Sequence, residues 1–318
     1  LSGPEQDTAP PEERPKAKAG RPRRRRLGRW LLVGLAATVV LLLLVAGGVR
    51  YGVRTDSGRA FASRFIEGMK VGRFGRLHIE GLQGDLFGAF SIRRLTIVDE
   101  RGPWLEALNL SVVWRPLELT GRMVHVKRAR GEVIRVLRRP IQTPPSGPGG
   151  PAPVSVVVDQ LQTRLETLPA FSNALGIWDV AGRLEFRRNG PTNGQLDAQS
   201  RIHAGDGLKL AFQFGPQGRV LVMADAVEES GGALAGSLGL PANQRLFVRG
   251  RVDGVMDGSG TVSVVSQSGD IRPVSATGAW GPDGASLDAR ILLAASTLTA
   301  PYAEKAGPEA VVRLRARH

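Results

Sequence analysis

Cysteine is missing from all 318 residues, and histidine (4), methionine (4) and tyrosine (2) are nearly so. Without Cys there is no disulfide framework, no thiol nucleophile and no thiolate-held metal, so packing and sheet hydrogen bonds alone must hold the fold. The four histidines, His78, His125, His203 and His318, stand far apart, which leaves a zinc centre or a His-based acid–base pair little to build on. Ser, Asp and His occur without a nucleophile-elbow sequence. Gly231-Gly-Ala-Leu-Ala-Gly236 has no Gly-Lys-Ser/Thr after it, as a phosphate cradle requires. Asp253-Gly-Val-Met-Asp257-Gly-Ser-Gly lacks the third alternating ligand and the terminal Glu of a calcium loop, and reads as a turn. No catalytic, cofactor-binding or metal-binding residue is assigned, and a non-enzymatic protein is expected.

One long apolar run is present. Trp30 to Val49 holds twenty residues without a charge, a helix of about 30 Å at ~1.5 Å per residue, the hydrocarbon thickness of a bilayer. Nine Lys or Arg lie just before it, between Arg14 and Arg29, against four in the twenty residues after it. The positive-inside bias therefore predicts a single-pass anchor with residues 1–29 cytoplasmic and everything from Arg50 onward on the far side. A cleaved secretory signal is the alternative, with Ala46-Gly47-Gly48 as its small residues, but the run exceeds the ~7–15 residues of an h-region and Arg50 and Arg54 follow at once. A twin-arginine reading of Arg23 to Arg26 has nothing beyond the arginines to support it. Both alternatives still export the remainder of the chain.

The net charge of +14 is unevenly placed. Residues 1–54 carry eleven basic and four acidic side chains, residues 55–140 sixteen and nine, and residues 141–318 sixteen of each. The excess sits beside the apolar run, where topology and anionic headgroups explain it better than nucleic acid does. No nucleic-acid partner is expected. The chain opens on Leu1 rather than Met and closes on Val311-Val-Arg-Leu-Arg-Ala-Arg-His318, and is read as a piece of a longer protein.

After the span, Thr55-Asp-Ser-Gly58 caps an amphipathic stretch, Arg59 to Lys70, with Phe61, Phe65 and Met69 at helical spacing. Beyond it the period becomes two. Leu108, Leu110, Val112 and Trp114 alternate with polar residues, as do Leu184 and Phe186, and Leu208, Leu210, Phe212 and Phe214. These predict strands with one apolar and one wet face. Gly215-Pro-Gln-Gly218 and Gly281-Pro-Asp-Gly284 are turn sequences in which Pro presets the bend and Gly supplies positive φ. Forty-one glycines and almost no long 3.6-period segment favour an antiparallel meander over an α/β enzyme. The run Thr143 to Pro153 (TPPSGPGGPAP) fits neither strand nor helix and predicts a long loop between two β segments. A sheet with one apolar face must hide it. From periodicity alone a β-sandwich is the ordinary solution, one that would suit a passive tether, and an open lipid-filled trough the other.

Several short motifs follow the anchor in order: Gly81-Leu-Gln-Gly84-Asp85-Leu-Phe-Gly88-Ala-Phe90, Leu95-Thr-Ile-Val-Asp99, Gly102-Pro-Trp104, Val113-Trp114-Arg115-Pro116-Leu117 and Arg138-Arg139-Pro140. From about residue 30 to 140 this order resembles the N-terminal region of the TamB family, inner-membrane partners of an outer-membrane barrel protein. The resemblance implies a mainly β fold, an elongated, curled antiparallel sheet whose concave face is an apolar groove crossing the periplasm. It further implies that phospholipid is carried between the membranes, or, alternatively, that barrel and autotransporter assembly is assisted with a partner of the TamA type, contacted through a C-terminal region not in this chain. Leu108, Leu110, Val112, Leu208, Leu210 and Phe212 are the expected groove lining. Gly84, Asp85, Gly88, Asp99, Trp104, Trp114, Arg115 and Pro116 are expected to shape its membrane-proximal mouth. The expected organisation is a basic tail (1–29), a transmembrane helix (30–49), a membrane-proximal β segment (50–140), a loop (141–153) and a β-groove segment (154–318).

Overall fold

The computed structural model describes residues 67–71, 73–141, 154–188 and 190–317. The basic tail, the apolar span 30–49 and most of the stretch Arg59 to Lys70 lie outside them, as does the Pro/Gly run from 142 to 153. Where the amphipathic stretch is described it is not helical, and Lys70 forms a β-bridge with Arg76. Among the described residues no helix is long and apolar enough to cross a membrane.

Fourteen strands follow one another: β1 (Arg76–Gly84), β2 (Ala89–Asp99), β3 (Gly102–Trp114), β4 (Met123–Val136), β5 (Ser155–Thr167), β6 (Gly176–Phe186), β7 (Thr192–Ser200), β8 (Gly207–Phe214), β9 (Arg219–Glu228), β10 (Leu246–Val255), β11 (Gly260–Ser268), β12 (Val274–Gly281), β13 (Gly284–Leu292) and β14 (Glu309–Arg317). All belong to one sheet, each strand beside its sequence neighbours, with β1 and β14 at the edges. The sheet is curled and unclosed. This replaces the β-sandwich: among the described residues there is no second sheet to cover the first.

Turn chemistry accounts for the meander. Gly215 to Gly218 joins β8 to β9 with Gln217 and Gly218 at φ 59° and 74°, closed by the Gly215 N–H donating to the Arg219 carbonyl at 2.8 Å. Pro282-Asp283 is the two-residue turn between Gly281 and Gly284, which face each other across β12 and β13. One connection breaks the antiparallel expectation. β4 and β5 are parallel, so the chain must return along the full strand length before pairing again, which takes a dozen or more residues. The Pro/Gly run read as a loop lies between these two strands in sequence, outside the described residues.

Irregularities crease the first strands. Gly81 and Asn109 take positive φ, 68° and 50°, and β4 slips register against β5 around Glu132. Gly81, Arg93, Asn109 and Glu132 fall opposite one another, so β1 to β4 keep their mutual register while this shared crease exchanges the faces of the residues beyond it. Leu108 is moved by this. It registers with Arg94 and Val133, and Arg94 with Glu80, so it shares the charged face and not that of Leu110. Simple alternation through Asn109 cannot reveal the shift.

The motif residues are pegs. The Trp114 indole N–H donates to the Leu86 carbonyl at 2.8 Å, Trp114 lies edge-on to Phe90, and Asp85 accepts the Phe87 N–H at 2.9 Å, so the Gly84 to Gly88 turn is locked to the end of β3. The Trp104 indole donates to the Phe74 carbonyl at 2.7 Å. β3 ends at Trp114, and Pro116 opens the 3-10 turn Pro116–Gly121, where Arg115 pairs with Glu118 at 3.1 Å. Asp99, 3% exposed, takes both arms of Arg138 and the Ile141 and Arg101 N–H groups at 2.7 and 2.8 Å.

The Arg138 guanidinium, helped by those N–H groups, holds the Asp99 carboxyl well below the usual carboxylate range. A depressed acid contributes stability above its unfolded value, about 3.9, and loses it as pH falls through the lower folded value. Asp99→Asn is therefore expected to destabilise by about 2–4 kcal/mol at neutral pH, with the deficit to wild type shrinking below about pH 4. Denaturant titrations at the two pH values check this, and a deficit that does not change with pH refutes it.

Candidate functional site

The register puts an uncharged surface across the whole sheet. Starting at Gly84 on β1, successive paired residues are Phe90, Val112, Ala129, Leu161, Gly182, Leu196, Leu210, Ala224, Gly250, Val264, Ala276, Ala289 and Val312. All fourteen are glycine or apolar. One row nearer the turns, Trp114, Val126, Val158, Leu184, Gly194 and Phe212 lead through Val222 and Val262 to Leu314. The row beyond, from Val124 through Phe186, Phe214 and Trp280 to Ala316, has Thr192 as its one polar member. At ~4.8 Å per strand the first row is roughly 60 Å long and the other two about 50 Å.

The opposite face carries the charge, because neighbouring side chains on a strand point to opposite sides. Its row beside Leu210 reads Arg130, Gln162, Ala181, Asp197, Lys209, Asp225 and Arg249 from β4 to β10. Cross-strand ion pairs tie it together, such as Arg94 to Glu106 at 3.0 Å, Arg135 to Glu166 at 2.7 Å and Arg249 to Asp225 at 2.9 Å. Asp253, in the sequence that has a trace of a calcium loop, is held by Arg219 and Arg251, each at 2.8 Å.

Among the described residues nothing covers the apolar rows as a lid would. Of their side chains only Val220 is buried, while Leu184 is 37%, Phe214 44%, Val312 46% and Leu314 50% exposed. The packed core lies elsewhere, at the opposite ends of the strands. There the short helices α1 (Pro169–Ser172) and α2 (Ala233–Ser237) sit on the sheet. Trp178, Val180, Ala198 and Ala233 form one cluster, and Ala235, Leu240 and Leu246 another, with Leu234 packed against both.

Five of the six expected lining residues share the apolar face: Leu110 beside Ile92, Val112 beside Phe90, and Leu208, Leu210 and Phe212 in three successive rows. Leu108 does not, because the crease at Asn109 turns it to the charged side. The sequence reading missed the segment 229–245 that packs on the sheet and the groups that fasten it. Buried Glu228 accepts the Leu234 and Ala235 N–H groups at 2.9 and 2.8 Å, and Arg139 donates to the Gly236 and Ser237 carbonyls at 2.9 and 3.0 Å. Burial pushes the Glu228 carboxyl up, against those hydrogen bonds and together with nearby Asp206. The signal that was available is the Gly231 to Gly236 cluster itself, apolar in a chain of alternating strands.

Among the described residues no three metal-ligating side chains gather. No family model, curated protein or solved structure matches this chain.

Proposed function

We propose that this sheet is an acyl-chain trough in a bridge between two membranes: an inner-membrane-anchored, periplasmic, non-enzymatic protein that carries phospholipid toward the outer membrane and so supports the envelope. The uncovered rows, one of them free of charge all the way from β1 to β14, carry the proposal; the resemblance of residues 30 to 140 to the TamB family agrees with it. A sixteen-carbon chain drawn through water costs on the order of 13 kcal/mol at ~0.8 kcal/mol per CH₂. A continuous apolar surface removes that cost. A photo-crosslinker at Leu210 or Val222 is expected to capture phospholipid, and one at Lys209 or Gln213 on the other face is not. Equal capture on both faces, or none on either, defeats the proposal.

The anchor at 30–49 gives the topology, with residues 1–29 cytoplasmic and the sheet periplasmic. A reporter active only in the periplasm is expected to work when fused after Pro140 and to be silent at position 20; the reverse pattern overturns the orientation.

A second reading is assistance to outer-membrane barrel or autotransporter assembly, together with a barrel partner of the TamA type. One observation favours it: among the described residues the outer edge of β14 pairs with no strand, and seven of its nine residues are exposed. Such an edge can template an incoming strand. Recovery of stalled barrel strands bound at β14, without phospholipid, selects this reading.

A further inference from the structure

We propose that Leu234 is the end-stop of the acyl path, and that residues 229–245 limit how long a lipid tail the trough accepts; this rests on the trough reading above. Along the strands, the apolar face is open on the side of the β8–β9 turn and closed on the other. The part before the stop runs from Phe214 to Leu210, which face Val220 and Ala224 across β8 and β9. That is two two-residue steps, about 14 Å at ~3.4 Å per residue. A bilayer leaflet is about 15 Å deep, half of the ~30 Å hydrocarbon core. One tail laid along the strands therefore fills the distance, with its headgroup at the open turns.

At the far end the path stops for two reasons. Leu234 packs against both buried clusters, the one that Leu208 also flanks and the one that Val248 also flanks, and so bridges them. Behind it Asp206, Glu228 and Ser268 are buried, the last two on either side of Leu246, so that polar side chains interrupt the apolar surface. The stopper is fastened rather than loosely laid. Glu228 holds the start of α2 and Arg139 its end, the Arg139 guanidinium lies 5.1 Å above the Phe171 ring, and Ser296 and Thr297 donate to the Leu238 and Gly239 carbonyls at 2.7 and 2.9 Å. A segment tied on all these sides keeps its place when a tail presses on it.

The test uses the full chain purified in mild detergent and offered saturated phosphatidylglycerols graded from about 12 to about 20 carbons per tail, a range bracketing the leaflet depth. Retained lipid is measured by mass spectrometry. Retention in the wild type is expected to rise about fourfold per methylene until the tail meets the stop, and then to level or fall. Leu234→Ala is expected to move that break to longer tails by about two carbons, the length its missing side chain vacates. Gly250→Leu fills the row immediately before the stop, where a Cβ meets only Ala224 and Val264 at 3.8 and 3.9 Å, and is expected to move the break to shorter tails. It also guards against a misfolded Leu234→Ala, since it leaves the stopper untouched. Retention that climbs across the whole series, or a break moved by neither variant, overturns the stop while leaving the trough. Absence of any retained lipid overturns both.

Discussion

Leu210→Arg is expected to leave the protein folded and to remove phospholipid retention. Leu210 lies midway along the uncharged row, paired with Leu196 and Ala224, and is half-buried by neighbouring side chains, with no layer above it among the described residues. In a sealed core the new guanidinium would be unpaired and buried, at a cost of about 3–5 kcal/mol, and the sheet would come apart. On an open face its long stem can lie along the trough and bring the charge to water. A tail crossing that point loses apolar contact over three or so methylenes, roughly 2.4 kcal/mol or fiftyfold in affinity. Normal protease resistance together with lost lipid capture is the expected pair of results, beside an unaffected Lys209→Gln, whose side chain lies on the charged face opposite Asp197 and Asp225. A Leu210→Arg protein that is degraded or unfolded would show a covered core and defeat the trough.

Strand identity, turn positions and the apolar face were legible in the sequence because each rests on a local signal. Period-two alternation marks Leu208 to Phe214, and the two Gly-Pro-X-Gly turns mark their hairpins. What alternation cannot convey is whether a second layer covers the face, since Leu210 reads the same under a lid or in the open; only the single fourteen-strand order decides it. The crease was hidden for a similar reason. Asn109 in a positive-φ conformation looks like any polar residue between two leucines, yet it sends Leu108 to the charged side. The Asp99–Arg138 pair joins two of the short motifs across 39 positions, a contact that neither motif announces alone. Glu228 was the least visible, because an isolated acid at the end of a strand gives no hint that it caps a helix packed on the apolar face.

Gly236→Ala is expected to expel the stopper, against the direction that helix propensity alone would give. In an unconstrained helix this change stabilises by up to about 1 kcal/mol. Here the added Cβ would lie 1.5 Å from the Ser172 carbonyl oxygen and 2.5 Å from its carbon, and both are backbone atoms of α1, unable to swing aside as a side chain can. Ser172 is itself fully buried and donates to the Ala174 carbonyl at 2.7 Å. The two helices must part, which frees Leu234 from its clusters and pulls the Gly236 and Ser237 carbonyls from Arg139. Overpacking usually costs about 1–3 kcal/mol, and a backbone clash at this distance belongs at the upper end of that range or beyond. Amide exchange is expected to accelerate through residues 168–175 and 229–245 while β1 to β4 keep wild-type protection, since their hydrogen bonds do not depend on α2. Gly250→Ala is the matching control, with its nearest neighbours at ordinary contact distance, and is expected to change neither region. Unaltered exchange in Gly236→Ala would mean that α1 and α2 are not packed together as described, and would remove the closed end of the trough.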